Sequence, residues 1–152
     1  MGLGNFIENT EQQFFEKMKS KYGLEIAEPV KSIVEWARNK ELFVEFSGEQ
    51  DMSCSPLVHH KGQKIKLIVI WTSGTIYLPF TFGKKGPFHG DEDKRTELID
   101  RFRRIPVGFD SAKTTSKVKT NPKIHLGSLK RDNVPGKFID VLEWELQEIM
   151  KS

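Results

Sequence analysis

Cysteine is almost missing from this sequence: Cys54 stands alone among 152 residues. One thiol forms no internal disulfide, and no cysteine cluster exists to hold structural zinc. The fold must therefore rest on its core, which a chain of this length can build without staples. No apolar run approaches the 18 or so residues that cross a bilayer, so no membrane partner is expected. The opening MGLGNFIENT has no basic segment followed by an apolar one, so a secretory leader is not expected. Phe6 stands where a myristoylation signal wants Ser or Thr. A reducing, cytoplasmic setting is the expectation. Internal repeats and linker-like composition are also missing, which predicts a single domain over 1–152.

Aromatics are plentiful. Eleven Phe and three Trp argue against disorder, although 30% of residues are charged. The stretch 64–82, KIKLIVIWTSGTIYLPFTF, joins two apolar, β-branched runs through Thr72-Ser73-Gly74-Thr75 and predicts a β-hairpin at the centre of a sheet. Strict alternation places Ile65, Leu67, Val69 and Trp71 on one face of its first strand. Pro79 has no amide N–H, so the return strand is expected at a sheet edge or bulge.

Around the hairpin, Thr10 with Gln13 reads as a capping box opening a helix to about Lys21, with Phe14, Met18 and Tyr22 inward. A second helix is predicted over 28–39, with Pro29 in its first turn. Leu42 to Phe46 reads as a strand, 48–55 as a polar turn, and 56–60 as a short strand turning at Lys61-Gly62. Asp91 opens a third helix that ends in Arg101, Arg103 and Arg104, matching its dipole. A short strand is predicted within 124–129. A last helix begins after Asp132 or Asn133, with Phe138, Leu142, Glu145, Leu146 and Ile149 inward. Helices, then consecutive strands, then helices define an α+β fold. It has an antiparallel sheet centred on the 64–82 hairpin, with two N-terminal and two C-terminal helices.

Charge is unevenly placed. Residues 94–131 hold eleven bases and three acids, a net +8, leaving −5 for the rest of a chain whose total is +3. Arg101, Arg103, Arg104, Lys113, Lys117, Lys119 and Lys123, with Ser, Thr and Asn among them, suit phosphate contact. The plain alternative is a solvated helix end and loop. No recognition helix or ribonucleoprotein motif is present, so any such binding is led by phosphate and weakened by salt. Nucleic acid is thus the expected partner, through a non-enzymatic module. A protein partner, held through a strand edge near Pro79, is the second expectation.

Catalytic patterns are incomplete. Val58-His59-His60 resembles the opening of an HNH nuclease motif, but no Asn or third His follows on a helix. Glu45, Glu49 and Asp51 lack the Glu-x-Lys partner that a restriction-type metal site uses. Cys54 has His59 and His60 nearby in sequence but no third orienting group. Convergence of His59, His60, Cys54, Glu45 and Asp51 in one cleft would point to a hydrolase; no catalytic residue, metal or cofactor is assigned. His89 and His125 have no ligand spacing. Trp71, Trp144, Phe80 and Phe82 read as core. Phe88, in a Gly- and Lys-rich loop, reads as an apolar plug, with base stacking as its alternative.

Three segments, GTIYLPF…PFHGDEDKRTELIDRF, NPKIHLGSL and KFIDVLEWELQEI, carry a resemblance. With Arg95-Thr96-Glu97-Leu98, Pro122-Lys123-Ile124-His125-Leu126 and Trp144, the half of the chain from Gly74 onward resembles a small bacterial α+β domain family of uncharacterised function. That family is loosely associated with nuclease and defence proteins. The resemblance implies a nucleic-acid setting and carries over no catalytic residue.

Overall fold

The computed structural model describes residues 3–80, 88–107 and 121–152, with side chains from residue 10 onward. Its elements run α1 (Leu3–Tyr22), α2 (Leu24–Asn39), β1 (Phe43–Ser47), β2 (Ser53–His60), β3 (Gln63–Lys66), β4 (Val69–Trp71), β5 (Thr75–Tyr77), α3 (Glu92–Arg103), β6 (Lys123–His125), a 3₁₀ turn (Leu126–Lys130) and α4 (Val134–Lys151). The fold is α+β, with two helices before an antiparallel sheet and two in the C-terminal part.

The helices follow their apolar spacing. Phe14 and Met18 of α1 are fully buried and Tyr22 half-buried. The helix starts well before Thr10, so Thr10 and Gln13 lie inside it and form no cap. Gly23, at φ 77°, breaks α1 from α2 in a backbone region that side chains disfavour. Because α2 begins at Leu24, Pro29 falls in its second turn and not its first. It leaves the Glu25 carbonyl without its helical donor. The buried stripe of Ile26, Val30, Ile33 and Val34 holds the helix despite that loss. In α3, the Asp91 side chain accepts from the Lys94 N–H at 3.1 Å, closing the first turn as its position predicts.

The sheet order is β1-β2-β4-β5-β6, with β3 also paired to β2. Strand β2 is the hub and is longer than its spacing predicts, taking in Ser53 to Ser55. The hairpin is confirmed over its centre, where Val69 pairs with Tyr77 and Trp71 with Thr75 around the turn Thr72–Gly74. Its first strand, however, is not one ladder. Leu57 pairs with Lys66, but Cys54 pairs with Ile70, so the register against β2 slips by one residue at 67–68. That is a β-bulge, and an extra residue exchanges the faces of everything beyond it. Ile65 therefore points to one face while Val69 and Trp71 point to the other. This corrects the simple alternation of Ile65, Leu67, Val69 and Trp71.

Direct cross-strand partners share a face, so the register sorts the whole sheet. Cys54, Val58, Ile65, Ile70, Ile76 and Ile124 lie on the inner face, inside the core built with Phe14, Ile33, Phe102, Phe138 and Leu142 of the four helices. The outer face carries Phe43, Glu45, Leu57, His59, Lys64, Lys66, Val69, Trp71, Tyr77, Lys123 and His125. Leu57 and Val69 are buried, yet they lie apart from the core cluster.

Strand β5 ends at Tyr77 and sits between β4 and β6. The expected edge near Pro79 is therefore not an edge: Pro79 follows the strand, and the Leu78 N–H donates to the Pro122 carbonyl at 2.9 Å. Among the described residues, β1 and β6 end the five-strand path, and β3, paired with β2 alone, presents a further edge. The end of α1 braces two turns at once. The Tyr22 hydroxyl donates to the Thr72 carbonyl at 2.7 Å, and Lys17 reaches the Gln50 carbonyl at 2.7 Å.

Candidate functional site

The five residues whose meeting would mark a hydrolase do not meet. Cys54 is fully buried on the inner face, where desolvation pushes its thiol far above the usual range and keeps it protonated. Asp51 braces a turn: its Oδ1 accepts from the Thr72 hydroxyl at 3.1 Å, and that hydroxyl accepts from the Met52 N–H at 2.8 Å. His60 Nε2 lies 3.0 Å from the carbonyl of Ser152, at the end of α4. Only Glu45 and His59 share a surface. They line an open cleft of about 350 Å³ at β1 with Phe43, Leu57 and Lys64. Glu45 is engaged there by Lys64 at 2.5 Å and Lys66 at 3.3 Å, and the Lys64 hydrogen bond holds its carboxyl below the usual range. Among the described residues, no group of three His, Cys, Asp or Glu side chains is placed to hold a metal ion.

The basic residues of 94–131 differ in burial and surroundings. Lys94 pairs with Glu148 at 2.7 Å, and Arg95 is buried, its Nη1 donating to the His89 carbonyl at 2.9 Å. Arg101 donates from Nε to Glu97 at 3.1 Å while its guanidinium stacks 4.2 Å from the Trp144 ring centre. Arg103 and Arg104 are exposed at the C-terminal end of α3. Arg131 joins them there, its Nη1 donating to the Pro106 carbonyl at 3.4 Å. Lys123 stands on β6, its ammonium 5.2 Å from the Tyr77 ring centre. Lys113, Lys117 and Lys119, expected to contact phosphate, lie outside the described residues, as does Phe82.

Of two aromatics, Phe88 keeps its expected role and Trp71 does not. Phe88 is 1% exposed and packs edge-on against Trp144 at 5.8 Å, so it is a plug and no stacking platform. Trp71 is not core: the bulge places it half-buried on the outer face, 6.0 Å from Tyr77.

One pairing escaped the sequence. His89 and Glu145 are both buried, with Nε2 and Oε2 2.7 Å apart. Desolvation raises the Glu145 pKa, and its Oε1 has no hydrogen-bond partner. An orphan oxygen is far less costly on a neutral carboxyl than on a carboxylate, so the neutral acid donating to His89 describes this pair. Glu145 did announce itself as an acid on an apolar helical stripe. His89 carried no such signal, because an isolated His in a loop has no periodicity to read.

Comparison with protein-family models, with curated proteins and with solved structures finds no match for this chain. No helix among the described residues is long and apolar enough to cross a membrane.

Proposed function

We propose that this protein is a non-enzymatic module that contacts nucleic acid through the phosphate backbone. The observation that carries the reading is the C-terminal end of α3. There Arg103 and Arg104 are exposed, and the Pro106 carbonyl draws in Arg131. Guanidinium groups at one helix end suit phosphate oxygens, which they engage with paired, charge-assisted hydrogen bonds. The Arg101–Trp144 stack fixes the last turn from which these side chains project. Dispersal of Cys54, His60 and Asp51 supports binding over catalysis.

Fluorescence anisotropy with labelled oligonucleotides tests this directly. Binding is expected at about 50 mM salt and should fall steeply towards about 200 mM. The double variant R103E/R104E should weaken binding to all sequences alike, and circular dichroism should show it folded. Absence of binding to duplex and single strands at the lower salt would end the proposal.

A further inference from the structure

The outer face of the sheet combines two features that phosphate contact alone does not need. One is a set of aromatic rings: Phe43 and His59 at the β1 side, Tyr77 towards the β6 side. The other is a set of ammonium groups on the same face: Lys64 and Lys66 beside Phe43, and Lys123 over Tyr77. Phe43 is 64% exposed, one of the few large apolar side chains left in water. Among the described residues its ring neighbour is His59, edge-on at 5.0 Å and 87°. A single exposed apolar side chain is ordinary; what sets Phe43 apart is the cleft that it lines with His59 and Lys64.

Here the charge decides which partner fits. Glu45 is the one acid among these side chains, and Lys64 and Lys66 already share its carboxylate. With Lys123, the face carries three ammonium groups against one carboxylate, so it complements an anion. Aromatics interleaved with lysines on an antiparallel sheet suit a chain that offers flat π-faces and phosphates in alternation. A duplex cannot use the rings, because its bases are stacked on each other. From β1 to β6 the sheet is four strand spacings wide, about 19 Å, room for a few unstacked nucleotides. The cleft at Phe43, with about 350 Å³, is at the lower end of ligand-pocket size.

Resting on the nucleic-acid reading above, we infer that the outer sheet face is a single-strand platform. On it, a base stacks on Phe43 beside His59 while Lys64, Lys66 and Lys123 meet the backbone. The α3 arginines supply phosphate affinity to any nucleic acid; the sheet face supplies preference for unpaired strands.

The test compares single-stranded and duplex oligonucleotides, as DNA and as RNA, by anisotropy on the full chain. The wild type should prefer single strands. Phe43→Ala, at an exposed site that folding does not depend on, should weaken single-strand binding about tenfold and leave duplex binding unchanged. Phe43→Trp should restore it. Lys123→Ala should weaken single-strand binding independently, guarding against an effect local to β1. If Phe43→Ala and Lys123→Ala both bind single strands like the wild type while R103E/R104E does not, the platform is wrong and the phosphate module stands. Equal wild-type affinity for duplex and single strand would also overturn the platform. If Phe43→Ala changes only the sedimentation of the free protein, the face serves self-association and the inference fails. No binding to any oligonucleotide removes both readings together.

Discussion

Glu145 shows what one buried acid does to a core. Its carboxyl is fully buried against His89, with Arg95 held at the His89 carbonyl beside it. Burial raises its pKa, so the folded chain keeps a proton that the unfolded chain releases above about pH 4.3. Its contribution to stability is complete below that pH and is lost as pH rises through the folded value. The unfolding free energy measured with urea should therefore decline above about pH 5, by up to about 1.4 kcal/mol per pH unit. Glu145→Gln should flatten that decline while keeping a donor towards His89. Glu45 and Glu148, whose carboxyls lysines hold below the usual range, act in the opposite, more acidic window. They lose their contribution as pH falls, so the two effects separate on the pH axis. Gly48 is a position where a side chain has no room. Its φ is 98°, and a Cβ there would stand 2.3 Å from the Asp51 carbonyl oxygen. Gly48→Ala should cost about 2–3 kcal/mol, seen as a lower urea midpoint with an unchanged slope.

At the scale of the element, helices were legible and strand faces were not. Apolar residues at three- and four-residue intervals identify an inward helical face even if the start is misjudged. Phe14 and Met18 are buried as spaced, although α1 begins at Leu3. A strand has a period of two, so a single inserted residue reverses every later assignment. The bulge at 67–68 does this, and no turn residue announces it: both Leu67 and Ile68 are apolar and fully buried. Deleting Leu67 removes the extra residue, so the pairs Leu57–Lys66 and Cys54–Ile70 join in one unbroken ladder and Val69 and Trp71 keep their faces. The variant should keep a cooperative thermal transition and lose about as much stability as Leu67→Ala, about 2–5 kcal/mol; loss of cooperativity would place the bulge elsewhere. Pro79 misled for a related reason. A missing N–H marks the end of pairing, but it cannot tell a strand's edge from its terminus, and here β5 simply stops.

For the whole molecule, the polarity of charge matters more than its sum. Residues 94–131 carry +8 in a chain of only +3. The fold draws Lys94, Arg95 and Arg101 into pairs and packing, and it places exposed Arg103, Arg104 and Arg131 at one helix end. A plot of log affinity against log salt should be linear, and R103E/R104E should reduce its slope by about two. A variant in which both the affinity and the slope are unchanged would place the phosphate contacts elsewhere.

Composition and spacing alone determined the class of fold, the four helices and their inward faces, the turn at Gly74 and the basic tract. Each of these is local: it depends on residues within a few positions of one another. Tertiary structure alone decided which bases are displayed and that His89 meets Glu145 across 56 positions. It also placed Phe43, Tyr77 and Lys123 on a common face, from strands 32 to 80 residues apart. Such meetings are settled by register, and register is a property of paired strands that no single segment contains.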